Sequence, residues 1–361
     1  MKNNLYTIGV EEEYMLCDPL SGNLIDKADL IMDSIEKQYK NRFSYELILS
    51  EIESNTSVND NLNDTIDEVS KLRNMLNDIG QKNNFSLGIS GTHPTAKPNE
   101  QDFVNNESYN WVKKELKHYA SKNITFSVHV HIGLDDKEKL VHVTNSLRRW
   151  ISPMLALTTN SPFFEGVNTG MKSSRTFQFG LFPRTGIPPF IDSYKSFEDI
   201  IYNYTKSKSI VKPRHIWWKI RPHVDFNTVE FRVCDAQASL KKIEMIVGLL
   251  QALVRTIDVD QDFNLNYKYE YLTDSLWKAA SNGLDSIIID PLTNKIIKMK
   301  DMVQLMVDYC CKSLDYFDNN HIVQEINNII KYGTEGDRQL KYYKSNGMDK
   351  LKLFLIKNVQ F

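Results

Sequence analysis

The chain has 361 residues, enough for one large domain or two ordinary ones, since domains usually contain about 100 to 200 residues. Hydrophobic residues make up 41% of the chain and charged residues 25%, which is ample material for a core. The 44 Lys and Arg nearly balance the 46 Asp and Glu, which argues against nucleic-acid binding through bulk positive charge and against an acidic disordered chain.

Cysteine content and hydropathy indicate the compartment. The four cysteines contain no CxxC pair, which argues against both a disulfide framework and a structural zinc site. The N-terminal apolar run is too short for a signal peptide, and no stretch approaches the roughly 18 to 20 apolar residues of a membrane span. We therefore expect a soluble cytoplasmic protein that binds neither nucleic acid nor membrane.

Sequence periodicity predicts an α+β fold. Alternating apolar residues predict strands at 7–16, 45–53, 123–134, 215–221 and 227–234. Apolar residues at intervals of three and four predict helices at 62–79, 136–157, 240–257, 302–317 and 321–332, with Gly80 as the cap that ends the first. The stretch 161–192, rich in Pro, Gly and aromatic residues, is predicted to be a long loop with a functional role. We predict a single domain over 1–361 with an antiparallel sheet and a mainly helical part from about 240.

The polar faces of the predicted strands carry the functional signal. Successive side chains of a strand point to opposite faces of the sheet. Four strands thereby place two ionisable groups opposite their apolar face: Glu11 and Glu13, Glu51 and Glu53, His129 and His131, and Glu230 and Arg232. Each pair taken alone is more often an ordinary solvated face or a weak surface ion pair. If the strands are neighbours, however, the pairs converge on one surface.

Convergence of these carboxylates implies divalent cations. Two carboxylates about 4 Å apart repel each other by roughly 4 kcal/mol at an effective dielectric constant of 20. Oxygen-rich ligation favours Mg²⁺ or Mn²⁺, with the histidines as further ligands or as phosphate contacts. We predict Glu11, Glu13, Glu53 and Glu230 as metal ligands. No HExxH spacing is present, so a zinc hydrolase is the weaker interpretation.

Glu12 departs from this pattern, because alternation places it on the apolar side of its strand. Two explanations are open, a position at the edge of the sheet or a buried cationic partner.

Basic residues beside the same strands suggest a polyphosphate ligand. Metal ions bridge phosphate oxygens, and guanidinium groups bind the remaining ones. The residues concerned are Arg175, Arg184, Lys219, Arg221 and Arg232. Neither GxxxxGK[ST] nor GxGxxG occurs, so a P-loop and a Rossmann site are both excluded, and a nucleotide would lie across the antiparallel sheet.

Several segments, in the same order, resemble the carboxylate–amine ligases related to glutamate–cysteine ligase, within the glutamine synthetase-like superfamily. The similar segments are GVEEEYMLCDPLSG at 9–22, SEIESNT at 50–56, HVHIGL at 129–134, NSPFFEGVNTG at 160–170 with SSRT and FPRTGIPPF after it, WWKIRPHVDFNTVEFRVCDA at 217–236, GLDSIIIDPLTN at 283–294 and GTEGDRQ at 333–339. The chain departs from the family pattern at Phe164, where the family often has Trp, and at Asn168, where it often has Asp. It departs again at 275–277, where the family has Asn-Arg-Trp, and this last departure bears on the choice of acceptor if that Asn or Arg contacts substrate in relatives.

The resemblance implies a curved antiparallel sheet whose concave face holds ATP and metal ions, with helices packed outside. It supports the four glutamates predicted above as metal ligands and adds His129 to them. It assigns His131, Arg221 and Arg232, with Lys219, to the nucleotide phosphates, and places Arg175 and Arg184 at the border of the substrate side.

The implied reaction is ATP-dependent amide formation through an acyl phosphate. A glutamate-like carboxylate would attack the γ-phosphorus, an amine would then displace phosphate, and Arg175 and Arg232 would neutralise charge. A carboxylate such as Glu53 would accept the proton of the amine. By analogy we expect a homodimer. The alternatives are a metal-dependent hydrolase and a non-catalytic nucleotide-binding relative.

Overall fold

The computed structural model describes residues 5–260 and 267–361. Within these two stretches no helix is both long enough and apolar enough to cross a membrane.

The structure contains the strands β1 Ile8–Cys17, β2 Phe43–Tyr45, β3 Glu51–Asn55, β4 Ser86–Gly88, β5 Val128–Gly133, β6 Phe163–Phe164, β7 Val167–Asn168, β8 Ile220–His223, β9 Thr228–Phe231, β10 Ile287–Ile289 and β11 Ile296–Lys298. The main sheet is antiparallel, with the strand order β2-β3-β1-β5-β9-β8, and β4 pairs with the C-terminal half of β1. β6 pairs with β7 and β10 with β11 in two small separate sheets.

Helices cover one face of this sheet and make up most of the chain after residue 240. They are α1 Ala28–Ser34, α2 Leu62–Asn83, α3 Glu107–Leu116, α4 Lys137–Leu147, α5 Ile151–Thr158, α6 Ser174–Phe179, α7 Tyr194–Lys206, α8 Leu240–Asp260, α9 Tyr269–Asn282, α10 Met299–Tyr316, α11 Ile322–Tyr332 and α12 Glu335–Lys357. This architecture confirms the α+β fold with an antiparallel sheet, while the extent of the domain stays a prediction.

Three local predictions are wrong. The helix predicted over 136–157 is interrupted by a 3₁₀ turn at Arg148–Trp150, and the strand predicted over 45–53 is two strands, β2 and β3. Gly80 does not end α2, which continues to Asn83 and is capped by Asn84 in the left-handed conformation at φ 56°. Gly80 is required by packing instead, since a Cβ there would lie 2.6 Å from the carbonyl oxygen of Phe85.

The apolar face of the sheet forms the main core with α2, α4 and α8. Ile8, Val10, Val130 and Phe231 project from β1, β5 and β9 into this core, and each of them is buried. Burial of apolar surface contributes about 25 cal/mol per Å², which makes this face the main source of stability in the sheet. The opposite face is therefore left to the polar side chains.

Glu12 has a buried cationic partner. Its carboxylate accepts hydrogen bonds from Arg73 of α2, at 2.6 Å from Nη2 and 3.0 Å from Nε, and from the hydroxyl of Tyr14 at 2.6 Å. Arg73 also donates to the backbone carbonyls of Gln237, Ala238 and Gln360. The pair therefore joins the first strand to α2, to the segment after β9 and to the C-terminus.

We expect Arg73→Met to lower the free energy of unfolding by about 3 to 5 kcal/mol, because it leaves the Glu12 carboxylate buried without a counter-charge. Urea unfolding followed by circular dichroism measures the loss. Glu12→Gln combined with Arg73→Met should recover a large part of it. Lys71→Met, exposed on the same helix, is the control and should change stability by less than about 0.5 kcal/mol. If Arg73→Met and Lys71→Met lowered the free energy of unfolding equally, the buried pair of Glu12 and Arg73 would not be the stabilising contact.

Candidate active site

The register of the main sheet brings the predicted ionisable pairs together. Facing residues of antiparallel strands have side chains on the same face, about 5 Å apart. The facing pairs are Arg221 with Glu230, Glu230 with His131, Glu11 with His129 and Glu13 with Glu53. We call these seven residues the polar row. It runs across the sheet from β8 to β3 on the face opposite the main core.

Glu11 lies at the centre of the polar row, between two histidines. Its Oε2 is 3.0 Å from Nδ1 of His129, and its Oε1 is 3.1 Å from Nε2 of His131. Burial opposes ionisation of Glu11, but His131 and His129 outweigh it and hold the pKa of this carboxyl well below its usual range. Burial and the charge of Arg232 lower the pKa of His129, whereas Glu11 and Glu230 overcome burial to raise the pKa of His131.

Glu13 is held by a residue that the sequence did not single out. Ser127, just before β5, donates to the Glu13 carboxylate from its backbone nitrogen at 2.6 Å and from its hydroxyl at 2.7 Å. The same hydroxyl lies 2.8 Å from Nε2 of His129. Ser127 therefore fixes the orientation of both side chains.

Glu230 is the glutamate of the polar row that is paired with two arginines. Arg221 binds its Oε2 through Nε at 2.7 Å, and Arg232 binds its Oε1. Although burial opposes ionisation, these two guanidinium groups lower the pKa of Glu230 far below the ordinary value. Arg221 is fixed further, because its Nη1 donates to the carbonyls of Arg214 and Ile216 at 2.8 and 3.0 Å. This end of the row is neutralised by the protein itself.

The β2–β3 end of the row carries carboxylates without such compensation. Burial and the charges of neighbouring glutamates raise the pKa of Glu46, Glu51 and Glu53 well above the ordinary value. The charge of Glu46 is among the causes that raise the pKa of Glu53. The only neutral donor that we find on Glu53 in the described chain is Asn55, at 2.9 Å.

Glu46 was missed by the sequence analysis. A continuous strand over 45–53 would place Glu46 on the face opposite Glu53. The structure ends β2 at Tyr45 and begins β3 at Glu51, and the turn between them returns Glu46 to the polar face. The sequence nevertheless contained a signal for a third acidic ligand, because Glu46 lies shortly before Glu51 and Glu53.

The donor chemistry of the site fits divalent cations. Three sets of side chains each place one ligand atom per residue within 4.8 Å of the others: Glu11, His131 and Glu230; Glu11, Glu53 and His129; Glu13, Glu46 and Glu53. Carboxylate oxygens dominate all three sets, as in sites for Mg²⁺ or Mn²⁺. Burial and like charges raise the pKa of Glu46 and Glu53, and a divalent cation bound between them would offset that repulsion. The sets share Glu11 and Glu53, which links them into one continuous site.

A cationic group lies next to the polar row, under α6. Arg175 of α6 is buried and donates to the carbonyls of Arg232 and Val233 at 3.1 Å each. Lys219, just before β8, is buried as well, and burial together with the charges of Arg175 and Arg232 lowers its pKa to about 7. Both cations lie near the ring of Phe179, with Arg175 Cζ 5.8 Å and Lys219 Nζ 5.3 Å from its centroid.

Asp235, a second residue missed by the sequence analysis, anchors the loop that carries Arg175. Its carboxylate accepts hydrogen bonds from the backbone of Asn160 at 2.8 Å and from the hydroxyls of Ser161 at 2.7 Å and Ser173 at 2.9 Å. The stretch 161–192 is therefore an ordered segment tied to the strand end, with a short hairpin, β6–β7, and the helix α6.

Arg184 is placed away from the polar row. Its Nε donates to the carbonyl of His215 at 3.2 Å, and its guanidinium lies about 6 Å from the ring centroids of Tyr204 and Trp217. In the part of the chain that the structure describes, it makes no ion pair with the glutamates of the site. Its predicted contact with nucleotide or substrate stays a prediction.

The sequence model of one family matches almost the whole chain. That family is glutamate-cysteine ligase family 2, matched over residues 7–353. The chain belongs to this family. A protein of Solibacter usitatus named "putative glutamate–cysteine ligase 2" is 30% identical over 98% of this chain and 94% of its own length. Membership confirms the predicted class, an ATP-dependent carboxylate–amine ligase that uses small-molecule substrates, and does not favour the hydrolase or the non-catalytic alternative.

Solved structures of other ligases share the fold of this family member. A glutamate–cysteine ligase of Francisella tularensis in complex with AMP matches 99% of this chain and 89% of its own, with a TM-score of 0.74 and 13% identity. A bifunctional glutathione synthetase of Pasteurella multocida matches 99% of this chain with a TM-score of 0.74 and 12% identity, and this chain spans 52% of that protein. These likenesses confirm the predicted glutamine synthetase-like fold.

The carboxylates at the β2–β3 end of the site predict how stability depends on pH. A carboxyl whose pKa is raised by folding keeps its proton in the folded state, so stability falls as pH rises from about 4.5 through the folded pKa. With chelator present, we expect Glu46→Gln to increase the free energy of unfolding by about 1 to 3 kcal/mol at pH 8, since it removes one repelling charge. Near pH 4.5 the difference should largely disappear.

Thermal unfolding in EDTA across this pH range measures the effect. Glu198→Gln, a change at an exposed glutamate of α7, is the matched control and should show no such trend. A gain for Glu46→Gln that is the same at every pH would show that repulsion between carboxylates is not its cause.

Proposed function

We propose that the polar row and the cations under α6 form the centre of a ligase that joins a glutamate-like acid to an amine through an acyl phosphate. One observation carries this proposal. The half-buried Glu46 and the buried Glu51 and Glu53 form no ion pair among the described residues, and they stand on the same face as buried cations at Arg175 and Lys219. The first group calls for divalent cations and the second for anions, which are the two requirements of ATP-dependent carboxylate activation.

The metal ligands in this proposal are Glu11, Glu13, Glu53, His129 and Glu230, as the sequence predicted. We add Glu46 and His131 to this set, because each belongs to one of the three groups whose ligand atoms lie within 4.8 Å of one another. A divalent cation bound there, Mg²⁺ or Mn²⁺, would neutralise the charge of polyphosphate oxygens. Ser127 holds Glu13 and His129 in a fixed orientation before any ligand binds.

Arginine residues would hold the phosphates of ATP. Arg221 and Arg232 are locked on Glu230, so both guanidinium groups are oriented before ATP arrives, and the Nε of Arg232 is a buried donor without a partner among the described residues. Charge-assisted hydrogen bonds of this kind are among the strongest available to a protein. His131 stands beside them, with its Nδ1 3.0 Å from the hydroxyl of Thr228. Lys219 and Arg184 complete the predicted set.

The reaction consists of two displacements. A carboxylate oxygen of the acid forms a bond to the γ-phosphorus of ATP while the bond from that phosphorus to ADP breaks, and the product is an acyl phosphate. The amine nitrogen then attacks the acyl carbon, phosphate leaves, and the nitrogen loses a proton. Arg175 and Arg232 neutralise the negative charge that gathers when an anionic acid meets an anionic nucleotide. Phosphoryl transfer of this kind depends on positioning and charge, so no Ser or Cys nucleophile is required.

Glu53 is our candidate for the proton acceptor as well as a metal ligand. Burial and the charges of Glu11, Glu46 and Glu13 raise its pKa well above the ordinary carboxyl value, so it accepts a proton more readily than an ordinary carboxylate does. A homodimer and a location in the cytoplasm stay predictions from family likeness.

The deciding experiment is ADP release with Mg²⁺, with the acid and the amine supplied separately and together. We expect release that requires both, with glutamate and cysteine as the first pair, and mass spectrometry should detect the amide. Release of ADP at equal rate without any acid would contradict the ligase proposal for these substrates. Product formation without ATP would favour a hydrolase running in reverse.

Glu53→Gln separates the role of this residue in activity from its role in folding. We expect it to lower ADP release by at least 100-fold, because it removes a shared metal ligand and the proposed base. It should raise thermal stability in chelator, since it also relieves the repulsion with Glu46. Steady-state assays and thermal unfolding measure the two effects. Glu198→Gln is again the control, and near wild-type turnover in Glu53→Gln would remove Glu53 from the site.

A further inference from the structure

The polar row is shielded from solvent although it lies on the face of the sheet opposite the main core. Six of its seven residues are buried, and only Glu11 is partly exposed. Glu230 and His129 are 0% and 3% exposed. Charged side chains on the free face of a sheet would be solvated unless another element covered them. Because the metal ions, ATP and acid of a ligase must reach this face, part of its cover must open.

The helix α3 joins the two opposite edges of the main sheet. These edges are β2, next to the carboxylates of the β2–β3 end, and β8, which carries Arg221 at the other end of the polar row. The hydroxyl of Tyr109 donates to the carbonyl of Tyr45 in β2. The indole ring of Trp111 stacks on His215, shortly before β8, with ring centroids 4.0 Å apart and an interplanar angle of 9°. One short helix therefore bridges the two ends of the polar row.

Both contacts of α3 lie next to residues of the site. Burial and the charges of Glu46 and Glu53, among others, raise the pKa of the Tyr109 hydroxyl, so this hydroxyl lies near the carboxylates. At the other end, the carbonyl of Ile216, the residue after the stacked histidine, accepts a hydrogen bond from Nη1 of Arg221 at 3.0 Å. The helix therefore covers the polar side of the sheet and contacts the segments that hold the polar row.

Few buried side chains hold α3 in place. Of the side chains described in this helix, only Val112 and Leu116 are buried, in a small apolar cluster with Leu47 and Phe182 that is separate from the main core. A helix of ten residues is marginal in water by itself, so α3 depends on this cluster and on the stack of Trp111. Elements held in this way open at a lower cost in free energy than the core does.

We infer that α3 is a strap over the active site, which opens at the stack of Trp111 on His215 to admit ligands and closes to keep water from the acyl phosphate. The inference rests on the proposed ligase function and adds a conformational step to it. If water reached the acyl phosphate, its oxygen would bond to the acyl carbon and the bond from that carbon to the phosphate oxygen would break. The acid, phosphate and a proton would be released, and ATP would be consumed without an amide.

The test measures how much ADP is released per amide formed, with Mg²⁺, ATP, the acid and the amine present. We expect about one ADP per amide in the wild type and at least about 5-fold more in Trp111→Ala, because the loss of the stacked ring lets water enter. Trp111→Phe keeps an aromatic ring and should stay within about 2-fold of the wild type. Tyr332→Ala, at a 70% exposed aromatic residue that ends α11, is the control and should leave the ratio unchanged.

Hydrogen exchange tests the strap without relying on catalysis. In the absence of ligands, we expect the backbone amides of α3 to exchange faster than those of α8, which packs in the main core. Addition of Mg²⁺ and ATP should slow exchange in α3. Trp111→Ala should speed exchange in α3 and leave exchange in α8 unchanged, which would also show that the variant is folded.

Two results would overturn the inference. An unchanged ratio of ADP to amide in Trp111→Ala would show that the stack does not control access of water to the acyl phosphate. Exchange in α3 as slow as in α8 would make this helix a fixed part of the fold. Failure of the ligase proposal itself would look different, since the wild type would then release no ADP with any pair of acid and amine, whereas hydrogen exchange would still show whether α3 opens.

Discussion

Repulsion between carboxylates buried on one face of the sheet is the constraint on which the rest of this structure depends. The opposite face is filled by Ile8, Val10, Val130 and Phe231 under α2, α4 and α8, and this apolar core opposes the repulsion. Glu12 and Arg73 show how the fold treats a carboxylate that it must bury for structural reasons, with a full set of partners. Glu46 and Glu53 have no such set, which distinguishes these proposed functional acids from the structural acid Glu12.

Opposite charges are sorted across the site rather than paired throughout. Carboxylates without ion-pair partners among the described residues gather at the β2–β3 end. Buried cations with unpartnered donor atoms gather under α6 beside Asp235, and the neutralised group of Glu230, Arg221 and Arg232 lies between the two. Direct pairing of the two ends would be more stable but would leave no place for ligands. Because the carboxylates and the cations are kept apart, the electrostatic energy of the site is unfavourable. The proposed metal ions, nucleotide and acid would make it more favourable on binding. Function and stability oppose each other here, as expected for a preorganised site.

The long segment 161–192 positions the cations under α6 relative to the main sheet. Asp235 ties its beginning to the end of the β9 segment through Ser161 and Ser173, and this anchoring positions α6 and Arg175 over the sheet. Arg175 in turn binds the backbone of the β9 segment at Arg232 and Val233. A loop that lacks regular periodicity can therefore place a charged residue with accuracy, because buried hydrogen bonds replace the ladder of a strand.

The sequence alone determined the fold class, the family and most members of the polar row, because alternation along a strand assigns each residue to a face. It could not determine which faces meet, since strand order and register are long-range properties set by packing of the whole sheet. Glu46 shows this limit, because a break between β2 and β3 moved it to the face of Glu53 against simple alternation. Glu12 shows it too, since only the position of Arg73 on α2 decided between an edge and a buried pair. Lys219 appeared in the sequence as one more basic residue, and only burial without a partner distinguished it, since desolvation and counter-charge are properties of the folded chain.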